Sequence, residues 1–504
     1  MRLDFQLVER LPKLAWVARM HRGEERAEVL HGPWVETRDA SFVEGAWDGD
    51  FSEGGFDTAT SLMGSGGRSV GGRVVFAGPT HKLERLQSVA VGDRLYVSNS
   101  FALLLTMAGE DLDPRYPNYL FDYLRYFRAG LTVAVKPIRL KSGNHAYLHD
   151  CCNLAVKRDL TIERLEKRVP PEPRGYREYA DFLERTAQQV TANAMDPARE
   201  HVFRPVAAIS RGYDSVAVAA VASRAHCKRA VTFRHSSEEE FEDSGAEIAT
   251  VLGMGVKEYN RSDYARAGGL PEVEFYPYTR LASKAYRVFE EELTGSLFIN
   301  GQAGEDFWCT SWESGLPLLQ EPGATTMAGS NMTEFRLRVG TIFFPLPVCG
   351  AIHAPALSRI GRSKEMAAWS IGGSYDRPIP RRLAEERGVP RHLFGQRKVG
   401  GGPEMGPVGL CPESEADFRK FYAQFAGGKV SREKDIPQAV LKRRRRWAQP
   451  LRRIIFSSTR LNRLFRRFLG DRLDSRWGSL SLYTLHWSFH RLKERYETQL
   501  AGQN

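Results

Sequence analysis

The sequence predicts an α/β protein, with a β-rich first part followed by a parallel sheet wrapped by helices. Three observations predict it. Residues 1 to about 155 carry short apolar runs, such as Arg73-Val74-Val75-Phe76 and Arg94-Leu95-Tyr96-Val97, bounded by Gly and Asp in the manner of short strands. Pro170-Pro171-Glu172-Pro173-Arg174-Gly175 can continue neither a helix nor a central strand and so marks a boundary. From Pro205 onwards strand-like and helix-like runs alternate, which is the rhythm of a parallel sheet: Val206 to Ile209, Ser215 to Ala225, Ala230 to Phe233 and Asp243 to Leu252.

Taken in order, Gly64-Ser65-Gly66-Gly67 and Gly71-Gly72 are read as a flexible turn, because a strand pattern follows them where a phosphate cradle needs a helix. After the boundary, Tyr179, Phe182, Leu183, Ala187, Val190 and Ala194 repeat at three- and four-residue spacing and predict an amphipathic helix. The expected domains are 1–169, 170–436 and a basic helical extension, 437–504. With 504 residues, 42% hydrophobic and 26% charged, the chain has material for more than one compact unit. Its six cysteines are scattered, without the spacing of a zinc knuckle or a dithiol site, as expected of reduced thiols in a cytoplasmic protein. Asp4, Glu9, Arg10 and Lys13 interrupt the first twenty residues, so no signal peptide is expected there. The most apolar later stretch, Thr341 to Leu357, is cut by three prolines and is too short to span a bilayer.

The net charge of +11 is local. Residues 442–467 hold Lys442, Arg443, Arg444, Arg445, Arg446, Arg452, Arg453, Arg460, Arg463, Arg466 and Arg467 and no acidic residue, so this segment alone equals the whole excess. Ile454, Leu461, Leu464, Phe465, Phe468 and Leu469 lie among these arginines, a pattern that suits an anionic membrane surface. Packing against the protein's own body suits it equally, and nucleic acid is the less favoured partner. Peripheral attachment at the membrane is therefore one expectation of location. A later stretch, Leu482 to Tyr496, with Leu485, Trp487, Phe489 and Leu492, is expected to fold back as a helix.

The polar hexamer Ser210-Arg211-Gly212-Tyr213-Asp214-Ser215 joins the buried-strand run Val206-Ala207-Ala208-Ile209 to an Ala/Val-rich helix. At such a turn the unpaired N–H groups and the positive end of the helix dipole favour phosphate oxygens. Gly212 permits close approach, Ser210 and Ser215 offer hydroxyls, and Asp214 is a ligand for the magnesium ion of a triphosphate. The longer loop of kinases and GTPases, ending in Gly-Lys-Ser or Gly-Lys-Thr, is absent, which disfavours γ-phosphoryl transfer.

On these residues the chain resembles the asparagine synthetase B family, with its relatives β-lactam synthetase and the lasso-peptide cyclases, whose usual loop is Ser-Gly-Gly-x-Asp-Ser; Arg211 stands where the second residue is glycine, either as an added phosphate contact or as an obstruction of the loop. The resemblance implies an adenine-nucleotide α-hydrolase-like synthetase domain that uses ATP and Mg2+. Thr232-Phe233, with the acidic segment Glu242 to Ala249, is similar to the family's adenine-contacting strand and following helix. Phe298 to Trp308 resembles the second signature, Gly-x-Gly-x-Asp-Glu-Leu-Phe, with Gly301 at the nucleotide and the acidic order reversed, so that Glu305 or Asp306 is the second metal ligand. Arg381-Arg382-Leu383, continuing through Val389-Pro390 to Gly395-Gln396-Arg397-Lys398-Val399-Gly400-Gly401, is similar to the family's lysine loop, which makes Lys398 the cation for charge built up during adenylation. Glu334-Phe335-Arg336 with Phe344 to Gly350 is loosely similar to the Glu-x-Arg and Pro-Phe-Leu-Asp region; it makes Glu334 a candidate catalytic carboxylate and puts Gly350 where the aspartate is usual.

The first part is similar to the family's glutaminase domain over Gly92 to Ser100 and Pro137 to Gly143, which implies an Ntn-hydrolase-like β sandwich. Glutamine hydrolysis there needs a cysteine after the initiator methionine; this chain has Arg2, so a degenerate domain without glutaminase activity is expected. The implied function is an AMP-forming carbon–nitrogen ligase that adenylates a carboxylate and passes the acyl group to ammonia or an amine. Other readings are a weakened nucleotide-binding scaffold, a nucleotide-modifying enzyme with an RNA-binding tail, and amidation of an acidic sugar in polysaccharide biosynthesis. A homodimer is among the assemblies considered.

Overall fold

The computed structural model describes residues 1–114, 116, 119, 134–236, 241–266, 268, 270, 272–275, 285–310, 332–373, 375–396, 410–425 and 483–501. The protein is a mixed α/β molecule with three sheets.

Two of the sheets form the first part. One has seven strands in the order Arg2–Leu7, Arg26–His31, Trp16–His21, Arg94–Ser98, Leu86–Val91, His145–Asp150 and Ala134–Arg139. The other has six: Ile162–Glu166, Cys152–Val156, Arg73–Ala77, Leu62–Val70, Ser41–Trp47 and Glu36–Arg38. All pairings in both are antiparallel except that of Arg2–Leu7 with Arg26–His31. Trp16, Val97 and Leu86 of the first sheet share a core with Phe42, Phe76 and Leu154 of the second. The reading of Gly64–Gly67 as a turn is corrected, since these residues lie inside the nine-residue strand Leu62–Val70. A Cβ on Gly64 would come within 2.0 Å of the Glu44 carbonyl oxygen, so glycine serves there for close approach of two backbones. Only Gly71-Gly72, at φ +56 and +73, make the turn.

The third sheet is wholly parallel, in the order Gly255–Tyr259, Arg229–Phe233, Arg204–Ala208, Ser296–Asn300 and Ile342–Pro345. Alternate residues serve its two faces, as strand geometry requires. Ala207, Ala230, Leu297 and Ile299 pack with Val216 and Ala220 of helix Tyr213–Arg224 and with Leu183 and Val190 of helix Tyr176–Ala194. Val206, Val231, Phe298 and Phe343 pack with Phe289 and Phe335 on the other face.

Helix Thr484–Ala501 folds back on the body, burying Leu485, Trp487, Phe489, Leu492 and Tyr496. Trp487 Nε1 donates to Asp417 at 2.7 Å, and Arg491 donates twice to the same carboxylate, at 2.9 and 2.9 Å. Among the described residues no helix is long and apolar enough to cross a membrane. The basic segment 442–467 lies outside the described residues.

A short helix, Thr333–Val339, joins the first part, the parallel sheet and this C-terminal helix. Its Arg336 donates to Glu44 at 2.7 and 3.2 Å and also to Glu84, with all three side chains buried. Its Glu334 accepts from Ser100 Oγ and from the Tyr496 hydroxyl, each at 2.6 Å. Burial pushes the Glu334 carboxyl up to about 7, reinforced by Glu272 and opposed by Ser100, Tyr496 and Arg336. A carboxyl raised in the folded state contributes stability that is full below the unfolded pKa, about 4.3, and is lost as pH rises through about 7. The melting temperature should therefore fall between about pH 4.3 and 7 by more in the wild type than in Glu334→Gln. Parallel melting curves for the two proteins across that window would count against this.

Candidate functional site at the switch point of the parallel sheet

Numbered along the chain, the parallel strands run third, second, first, fourth, fifth, so their order reverses between Arg204–Ala208 and Ser296–Asn300. In open α/β sheets that reversal leaves a crevice at the carboxyl ends of the two strands, where ligands bind. The segments leaving those ends are Ser210–Ser215 and Gly301–Asp306, the two motifs singled out in the sequence.

The first loop is fixed by its own hydroxyls. Ser210 Oγ and Ser215 Oγ are 2.8 Å apart, Ser215 Oγ accepts from the Ser210 N–H at 3.1 Å, and Ser210 Oγ accepts from the Gly212 N–H at 3.2 Å. The helix begins at Gly212, which has no side chain to cap it, and the N–H of its first residue, Tyr213, donates to the Tyr375 hydroxyl. Asp214 lies in that first turn.

The second loop packs directly against Asp214. A Cβ on Gly301 would lie 2.7 Å from the Asp214 carbonyl carbon, and one on Gly304 would lie 2.5 Å from Asp214 Cγ. Glycine at both positions lets the two loops meet, and it places Glu305 and Asp306, half-buried in the first turn of Gly304–Phe307, next to the Asp214 contact. Among the described residues no group of three or more His, Cys, Asp or Glu side chains forms a metal cage. One or two carboxylates beside a phosphate site are nevertheless the usual set for Mg2+, which takes its remaining ligands from phosphate and water.

A third segment closes on the loop from the side. Arg381 donates to the Tyr213 hydroxyl, Tyr375 and Phe394 pack on the Tyr213 ring with centroids 4.9 and 5.9 Å away, and the Gly395 N–H donates to the Arg211 carbonyl at 2.9 Å. Tyr213, Arg381 and Gly395 were not singled out as site residues from the sequence; the tyrosine occupies the variable position of the loop. Lys398 lies outside the described residues, three positions after Gly395.

Arg211 turns outward. Its guanidinium is 3.2 Å from Glu242 and donates to the Ser244 carbonyl at 3.3 Å, while its backbone N–H donates to Asp243 at 3.2 Å. Burial raises the Asp243 carboxyl, and the Arg211 N–H, Arg261 and the Arg211 guanidinium oppose that rise. The bulk that replaces glycine thus braces the loop against the next strand's connection. Its ion pair is exposed, so Arg211→Ala should cost less than about 1 kcal/mol of stability in chemical denaturation; a loss of several kcal/mol would show that the arginine supports more than the brace.

Thr232 is buried and its hydroxyl accepts from the Gly245 N–H at 3.0 Å, which ties the second strand to the start of helix Ala246–Val251. Phe233 is also buried, stacked on Phe289 with centroids 4.5 Å apart. Both side chains are thus held by packing within the parallel-sheet unit. Glu334 is engaged through both carboxylate oxygens at the junction with Ser100 and Tyr496. No protein-family model matches the chain, and no curated protein matches it as a relative.

Proposed function

We propose that the chain binds a nucleoside triphosphate through its phosphates at Ser210–Ser215. The observation that carries this reading is a helix start at the sheet's switch point, pressed against a second acidic loop through Gly304.

More particularly, the protein is an ATP-dependent synthetase that adenylates a carboxylate, releases pyrophosphate and transfers the acyl group to ammonia or an amine. The motif order supports it: phosphate loop, adenine-side strand Thr232-Phe233, acidic pair Glu305-Asp306 and the chain leading to Lys398. In this reading the parallel-sheet unit is adenine-nucleotide α-hydrolase-like and the first part an Ntn-hydrolase-like sandwich. Asp214 with Glu305 or Asp306 would hold Mg2+, which supplies neutralisation of phosphate charge. The loop N–H groups and Lys398 hold the pyrophosphate and the charge that builds on the α-phosphate. Holding acyl group and amine in one crevice makes their reaction effectively unimolecular. A cytoplasmic location, with peripheral membrane contact through residues 442–467, belongs to the same reading.

Exchange of labelled pyrophosphate into ATP, screened over a panel of carboxylates with the full chain, tests it. A signal that Asp214→Ala lowers by about 10³-fold is expected, equivalent to about 4 kcal/mol of transition-state stabilisation. ATP binding without exchange for any carboxylate would reduce the protein to a nucleotide-binding scaffold.

A further inference from the structure

Arg261 stands in the turn that follows strand Gly255–Tyr259, at the same carboxyl edge of the parallel sheet as the phosphate loop. Its guanidinium lies over the Phe233 ring, 4.1 Å from the centroid. Phe233 is fixed from within by Phe289 and Tyr286, with centroids 4.5 and 6.4 Å away, so the arginine roofs a rigid aromatic layer. The cation is half-buried and its Nε is enclosed without a hydrogen-bond partner. Among the described residues no carboxylate makes an ion pair with it; the nearby Asp243 carboxylate instead accepts from the Arg211 N–H, at 3.2 Å.

A half-buried guanidinium that makes no ion pair among the described residues retains desolvated donors, a cost that proteins offset with a partner. Its position says which partner. The Ser210–Ser215 loop follows strand Arg204–Ala208, and Arg261 lies two strands away, about 10 Å at the usual spacing. Between them lies the end of Arg229–Phe233, the strand beside which the nucleoside of a triphosphate seated in the loop would rest. A guanidinium placed over Phe233 offers its remaining donors in its own plane, the geometry that suits the acceptor edge of a ring.

Resting on the nucleotide reading above, we infer that Arg261 recognises the base, donating to the N7 acceptor edge of a purine. Pyrimidines lack that acceptor, so Arg261 sets a preference for purine triphosphates. The phosphates are held independently, by the loop.

Equilibrium binding to the full chain, with magnesium present, separates the two claims. The probes are ATP, 7-deaza-ATP, UTP and pyrophosphate. Wild type should bind ATP about tenfold or more tighter than 7-deaza-ATP or UTP, as expected when a site built to hydrogen-bond loses its partner. Arg261→Ala and Arg261→Gln should bring ATP to the 7-deaza-ATP level and leave pyrophosphate affinity unchanged. Equal wild-type affinity for ATP and 7-deaza-ATP overturns the assignment of Arg261 without use of any variant, as does unchanged ATP affinity in both variants. If wild type binds neither ATP nor pyrophosphate, the nucleotide reading fails and the assignment with it.

Discussion

Gly304→Ala is expected to lower pyrophosphate exchange by about 10³-fold, as much as loss of the Asp214 carboxylate itself. The added methyl would sit 2.5 to 2.7 Å from Asp214 Cγ, Cβ and Oδ1, and real carbon contacts do not come that close. Either Asp214 leaves its rotamer or the turn Gly301–Asp306 retreats, and both movements separate the phosphate loop from its acidic partner. Overpacking of this kind costs about 1–3 kcal/mol, too little to unfold the chain, so a thermal melt should show a modest decrease while exchange collapses. Exchange within threefold of wild type would mean that the two loops need not meet.

The second large effect concerns stability. Arg336→Leu should cost about 3–5 kcal/mol, because Glu44 and Glu84 would be left buried without their counter-charge. Chemical denaturation followed by tryptophan fluorescence is the measurement, since Trp16 hydrogen-bonds Ser65, which in turn bonds Glu44 at 2.6 Å. Adding Glu44→Gln and Glu84→Gln should recover part of the loss by removing the stranded charges. A single variant as stable as wild type would show that water or a shifted side chain compensates the two carboxylates.

Much of the parallel sheet was legible because strand and helix leave different periodicities. Val206 to Ile209 and Ala230 to Phe233 name the cores of strands Arg204–Ala208 and Arg229–Phe233, and the helix predicted from Ser215 starts two residues earlier, at Tyr213. That difference places Asp214 inside the helix's first turn, where its carboxylate meets the positive end of the dipole. The glycines of Leu62–Val70 misled because a strand made for backbone contact carries no apolar alternation. Glu334 is harder to read: a Glu-x-Arg pair looks the same in sequence whether it faces a substrate or a neighbouring domain. Arg381 and Gly395 lie in the segment read as the lysine loop but carried no role of their own, and Arg261 left no signal, since each acts through residues far away in the chain.

The Arg336 contacts also bear on the order in which the molecule can be made. Glu84 and Glu44 precede Arg336 by 252 and 292 residues. At a synthesis rate of about 5–20 residues per second, the first part waits roughly ten to sixty seconds for the cation that neutralises its interior. Until then two carboxylates of the sandwich must stay hydrated or protonated. The sandwich therefore matures as a receptor for a segment still being translated, and in isolation residues 1–169 would lack the group that completes them.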